Sequence, residues 1–228
     1  MGVILDKGRG LVLVDRNTVP NALGDVRISF NGSVELVGKV VYTHPVQNFS
    51  IISYDVTLLT SASNVEEVAL AGCPLQPGDS VSMIGLSASG VGSANNHTVV
   101  SNVTVTKVQE FNVRRRYPPA FRLTNVDALD VDVPMLCDGA VLVDKEGRVG
   151  AFWGSSVSKE KTLQEFFFGL PVSYIRPAVA LLREGQSPEQ LRSLEVELWP
   201  ISIAQARNQG LSEERILDIR DPKVEVLL

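Results

Sequence analysis

Up to about residue 155 the chain is a succession of short apolar or alternating runs separated by turn residues. Gly10 to Asp15, Asp25 to Phe30, Val34 to Tyr42, Phe49 to Tyr54, Ser80 to Leu86, Thr98 to Val113 and Gly139 to Val143 each read as a strand, and the opening Val3-Ile4-Leu5 is strand-like. Asn31-Gly32 is a hairpin signal, because a type I′ turn needs positive φ at both central residues. Lys145-Glu146-Gly147 reads as a longer hairpin turn with glycine in the left-handed position, and Pro77-Gly78-Asp79 separates two further runs. The pattern predicts a mainly β protein of sequentially paired antiparallel strands, in a barrel or a sandwich.

After Trp153 the periodicity changes. Ile175, Val179 and Leu182 recur at helical spacing, with Ser173 as the expected cap, Pro177 in the first turn and Gly185 as the stop. A linker, Gln186 to Glu189, leads to a strand-like Leu194 to Leu198, a helical stretch Ile203 to Asn208 and a last strand-like Val224 to Leu228. The expected domains are 1–186 and a short segment, 187–228, too small for its own core.

Composition narrows the picture. With 44% apolar residues, 228 residues bury one or two cores. No apolar run approaches the roughly 20 residues of a membrane-spanning helix, so no transmembrane segment is expected. A net charge of −5 argues against nucleic acid as a partner, and the one basic run, Arg114 to Arg116, reads as a solvated loop. Cys73 and Cys137 make no disulfide framework, and with His44 and His97 they make no metal cluster. Neither cofactor nor metal is expected. The Asn-x-Ser/Thr triplets at Asn31, Asn48, Asn96 and Asn102 read as chance. Met1-Gly2 running straight into a strand reads as an excised piece of a longer protein.

Several landmarks then resemble the HtrA/Deg serine proteases, in that family's order over nearly the whole chain. Gly10 to Val19 is similar to the family's glycine, apolar strand and TNNHVV segment, and Asn17 stands where the resemblance places the general-base histidine. His44 to Ile52 is similar to DPxxDIAVL, with Asn48 at the orienting aspartate. Pro77 to Gly85 resembles xGDxVxxIG; Asp138 to Arg148 resembles SGGPLVNxxGxV, with Asp138 at the nucleophilic serine. Phe168-Gly169-Leu170-Pro171 is similar to FAIP, the strand along which substrate pairs, and the tail from Leu194 looks like the start of a PDZ domain. The resemblance implies a trypsin-like double antiparallel β-barrel with a C-terminal helix, followed by a partial PDZ-like α/β segment.

Acyl transfer needs a nucleophile, a base within reach and a group orienting that base. An amide has no useful proton affinity at neutral pH, and a carboxylate is a poor acyl-transfer nucleophile. Asn17, Asn48 and Asp138 therefore predict a domain that is not an enzyme, within a parent serine endopeptidase that acts through another domain. The altered turn Leu136-Cys137-Asp138-Gly139-Ala140 points the same way.

Cys137 as a thiol nucleophile with His44 or His97 fails on alignment; His44 and His97 read as plain surface residues and Cys137 as a buried, inert one. Asp127, Asp130, Asp132 and Asp138 lack the spacing of a calcium loop and read as a solvated acidic stretch. Phe166, Phe168 and Gly169 are the candidates for a remnant peptide groove, although two of the three residues Phe166-Phe167-Phe168 are expected in the core.

Asp15 to Val19, His44 to Asn48, Phe152 to Ser155, Leu194 to Leu198, Ala206-Arg207 and Gly210 to Glu214 resemble the long Deg proteases of plants and fungi, the plant type more closely. That branch implies an oligomerisation and scaffold role in protein quality control, a homo-oligomer with a trimer favoured, and a chloroplast location for a plant-type or a nuclear one for a fungal-type chain. A non-cleaving module for peptide or unfolded protein is the alternative.

Overall fold

The computed structural model describes residues 1–30, 34–59, 65–88, 96–111, 126–135, 139–159, 163–192, 196, 198 and 201–219. They form two units, Met1–Ser193 and Leu194–Leu228.

Among the described residues the larger unit holds eleven strands. β1 (Gly2–Asp6), β2 (Leu11–Val14), β3 (Val26–Phe30), β4 (Val34–Thr43) and β5 (Ser50–Tyr54) make an antiparallel sheet in the order β1-β2-β5-β4-β3. β6 (Ser80–Ala88), β7 (Asn96–Phe111), β8 (Val126–Val131), β9 (Val141–Val143), β10 (Val149–Lys159) and β11 (Leu163–Pro171) close into a barrel in the order β10-β11-β8-β7-β6-β9. The mainly β, trypsin-like architecture expected from the sequence is present, with one closed barrel and one open sheet rather than two closed barrels. Asn31-Gly32 lies outside the described residues, although Phe30 pairs with Val34 across it. Gly147 adopts φ 79°, and its N–H reaches Asp144 C=O at 3.1 Å, as the hairpin reading requires.

Three apolar clusters explain why several strands read as unbroken apolar runs. On β2, Val12 and Val14 face the interior of the first sheet, whereas Leu11 and Leu13 face the layer between sheet and barrel. On β10, Ala151 and Trp153 fill the barrel while Val149 and Phe152 join that middle layer. Strands buried on both faces lose the polar-out alternation of a solvated sheet.

Helix α1 (Arg176–Arg183) closes the middle layer with Ala178 and Val179. Pro177 is in its first turn and Gly185 ends it at φ 73°, but Ser173 does not cap it. Val172–Tyr174 forms a 3-10 turn first, so the cap position falls to Ile175, which makes no side-chain capping bond. In the smaller unit α2 (Ile203–Asn208) matches the expected helix and starts in a capping box between Ser202 and Gln205. α3 (Glu213–Ile219) follows, with Glu213 pairing Arg207 at 2.8 Å. Val224 to Leu228, and most of Leu194 to Leu198, lie outside the described residues.

Candidate functional site

The sequence-predicted positions Asn17 and Asn48, both beside strands of the first sheet, converge on Ser155 of the barrel. Asp15 leaves β2 fully buried, and its backbone carbonyl accepts from Thr18 and Val19 N–H at 3.1 Å each, which folds Arg16 to Thr18 into a tight turn. Asp15 Oδ1 accepts from Asn17 N–H at 2.6 Å, and Oδ2 accepts from Asn48 Nδ2 at 2.6 Å. Asn48 sits just before β5, also buried. Both amides then cross to β10: Asn17 Nδ2 donates to Ser155 C=O at 2.7 Å and Asn48 Nδ2 to the same carbonyl at 2.8 Å. Asp15 and Ser155 are the site residues that sequence reasoning missed, although both fall in stretches, Asp15 to Val19 and Phe152 to Ser155, that carried the family resemblance.

Gly154 permits this arrangement. A Cβ there would stand 2.5 Å from Asp15 Oδ2 and 3.0 Å from Asn48 Nδ2. The cluster is a carboxylate and two amides aimed at one strand carbonyl, so these amides hold hydrogen bonds rather than move protons.

His44 lies beside the same turn, but it is not a surface residue as the sequence suggested. Its ring packs tilted against Phe49 with centroids 5.0 Å apart, and Nδ1 accepts from Val46 and Gln47 N–H at 3.1 and 2.8 Å. Its backbone carbonyl accepts from Arg16 Nη1. Burial, helped by the Arg16 charge, lowers its pKa to about 4, so the ring is neutral near pH 7 with its proton on Nε2. Because the unfolded chain takes up a proton near pH 6.5 that the native state refuses until about 4, stability is full above 6.5 and falls through that window. We expect a loss of about 2 to 3 kcal/mol between pH 7 and 4, read from urea midpoints, and a flatter profile in His44→Asn, which keeps an acceptor but does not titrate.

Asp138 and Cys137 lie outside the described residues, as does Arg114 to Arg116. Both flanks of 136–138 are held by one residue: Trp153 Nε1 donates to Met135 C=O at 2.9 Å, and Trp153 C=O accepts from Gly139 N–H at 2.8 Å. Gly139 has φ 85°, and the Met1 backbone packs against its Cα. We expect Trp153→Phe to cost about 2 kcal/mol, from a void and an unpaired Met135 carbonyl, measured by chemical denaturation. Asp127 accepts from Tyr174 Oη at 3.1 Å, Asp130 faces Lys107 at 3.6 Å, and Asp132 accepts from Thr104 N–H at 2.9 Å, so the acidic stretch ties strand ends together. The backbone donors hold the Asp132 carboxyl below its usual range, the Thr104 N–H foremost.

Phe168 and Gly169 are buried, Phe166 is half-buried, and the Phe166 and Phe168 rings stack at 6.1 Å within the middle layer. Phe167 packs on the barrel interior. Gly169 pairs with Trp153 and Leu129.

No protein-family profile matches the chain. It is 36% identical over 220 residues to the pro-apoptotic serine protease NMA111 of Yarrowia lipolytica, covering 94% of this chain and 22% of that protein. It is 34% identical over 226 residues to NMA111 of Pyricularia oryzae, covering 96% and 21%. The chain thus spans about a fifth of the length of these curated relatives. Among solved structures it superposes on the HtrA-type protease AlgW with decapeptide at TM-score 0.53 and 20% identity, covering 93% of this chain and 59% of that one. The active form of Rv3671c protease from M. tuberculosis gives TM-score 0.56 at 14% identity, covering 88% and 75%.

Two expectations are corrected. Relatives aligned over 94% of the chain are named serine proteases, which overturns the conclusion that the chain is not an enzyme. That conclusion took the side chains at Asn17, Asn48 and Asp138 for the whole catalytic machinery, and three aligned positions in a fifth of a protein do not define it. The preference for the plant type also falls, since these relatives are fungal. The chain is accordingly similar over nearly its whole length to about a fifth of the fungal NMA111 serine proteases, and it has the trypsin-like fold of the HtrA-type structures it superposes on.

Proposed function

We propose that this chain is a trypsin-fold part of an HtrA-type serine endopeptidase of protein quality control, in which it serves as an oligomerisation and scaffold module, with 187–228 opening a PDZ-like domain. The supporting observation is the network of Asp15, Asn17, Asn48 and Ser155, buried at every member but Asn17, which commits its donors to joining the first sheet to the barrel. A surface for assembly needs such a rigid frame. The test is the mass in solution at micromolar concentration, by light scattering. A trimer at three times 24.7 kDa is the expected result, and a strictly monomeric chain counts against the reading. In the full-length protease, removing 1–193 is expected to lower both the oligomer mass and casein turnover.

A second reading rests on β11. It pairs with β10 from Leu163 to Pro171, yet among the described residues it meets β8 only at Gly169↔Leu129. Away from that bridge, the side of β11 that faces β8 is where an extended peptide would pair by strand addition. Titration with labelled, unfolded casein tests it, and absence of binding removes it.

A further inference from the structure

The turn between β4 and β5 brings Asn48 to the barrel, and His44 is its hub. Pro45 has no N–H, and the next two amides, Val46 and Gln47, both donate to His44 Nδ1 at 3.1 and 2.8 Å. His44 N–H in turn donates to Phe49 C=O at 3.1 Å, and Phe49 N–H to Gln47 C=O at 2.9 Å. A ring nitrogen thus stands in for the backbone carbonyl that ordinarily closes such a turn. Gln47, Asn48 and Phe49 are buried, so the ring and not bulk water meets the Gln47 amide.

Only an unprotonated Nδ1 can accept. A proton there turns the acceptor into a donor facing two donors. It also sets an imidazolium beside the Arg16 guanidinium, whose Nη1 bonds the His44 carbonyl. The charged and titratable groups about the ring are Arg16, from the turn after β2, and Tyr42, on β4, with its ring centroid 5.9 Å away. Burial raises the Tyr42 phenol above its ordinary value, so it stays neutral. From the β5 side comes Phe49, which carries no charge. The carboxylate of the joint, Asp15, is engaged by Asn17 N–H and Asn48 Nδ2.

We propose that the His44–Phe49 turn is an acid-released latch: proton uptake at His44 Nδ1 frees the Val46 and Gln47 amides, opens the turn and withdraws Asn48 from Ser155 C=O. The first sheet is then loosened from the barrel while each keeps its own strands. Asn17 keeps its separate bond to Ser155, which makes the release a loosening and not a separation. The folded chain holds the ring neutral down to about 4, against 6.5 for the free side chain, so the latch is shut at neutral pH and releases as pH falls through about 4. The frame that joins sheet to barrel is in this way pH-dependent.

Proton–nitrogen correlation spectra of the 228-residue chain, recorded from about pH 7 to 3 together with the His44 ring signals, test this. The Val46 and Gln47 amide protons are expected to move upfield and the Asn48 side-chain amide to shift toward its free position, all with the midpoint of the ring, about 4. Met83 and Leu129, inside the barrel, should hold their positions. Asp15→Asn removes the other titrating group of the joint and should retain the transition, whereas His44→Asn should abolish it. A ring that titrates without moving the two amides would overturn the proposal. An Asn48 shift that survives in His44→Asn, or vanishes in Asp15→Asn, would do the same by assigning the event to Asp15. Loss of the Met83 and Leu129 signals in the same step also overturns it, as unfolding of the whole chain rather than release of one turn. The parent and Asp15→Asn spectra decide the matter if His44→Asn does not fold.

Discussion

Gly154→Ala is expected to destabilise the protein by about 4 kcal/mol, combining overpacking with the loss of buried hydrogen bonds. The added methyl cannot be absorbed by a flexible side-chain end. Its nearest neighbours are the Asp15 carboxylate at 2.5 Å and the Asn48 amide at 3.0 Å, both buried and both committed to hydrogen bonds. Either β10 withdraws, stretching the bonds from Asn17 and Asn48 to Ser155 C=O, or Asp15 rotates and leaves two donors unmet. Urea denaturation gives the value. Gly72→Ala, where nothing lies within 4 Å of the new methyl, is the control and should stay within about 0.5 kcal/mol of the parent. Equal effects at the two glycines would show that the close approach of β10 to Asp15 is not energetically important.

Asp15→Ala should cost about 3 kcal/mol. Two hydrogen bonds to a carboxylate, each 2.6 Å long, are worth roughly 1.5 to 3 kcal/mol apiece, offset by no longer burying a charge. A double-mutant cycle with Asn48→Ala isolates the pair: we expect a coupling of about 1 to 2 kcal/mol, since each single change already breaks the shared bond. Additive effects would mean that Asn48 is held by Ser155 alone.

What the sequence disclosed was mostly local. Gly147 in its turn, Gly185 after α1 and the helix Ile203–Asn208 are decided within a few residues, and each was readable. The amides at Asn17 and Asn48 stood out by resemblance, but their common partner Ser155 is 138 and 107 residues away, and no local pattern announces such a bond. His44 was misread for a different reason: its partners Tyr42, Val46, Gln47 and Phe49 are all within five residues, but they close around the ring only once the chain has turned back on itself. Ser173 failed as a cap because Pro171 and the 3-10 turn after it use the residues that would have led into the helix. The enzymatic conclusion failed differently. Chemistry was inferred from the identity of three side chains, where only the comparison with relatives could say what kind of protein they belong to.

Strands that are apolar on both faces carry a hazard of their own. A one-residue slip of β2 against β5 would exchange Val12 and Val14 with Leu11 and Leu13 between two dry compartments, exposing little oil to water. Hydrophobicity alone therefore offers little proofreading of that alignment. The error is instead caught at the strand's end, where a slip would drive the Asp15 carboxylate away from the buried Asn48 amide that donates to it. One buried charge thus serves as the alignment mark for a strand that its own greasiness cannot align.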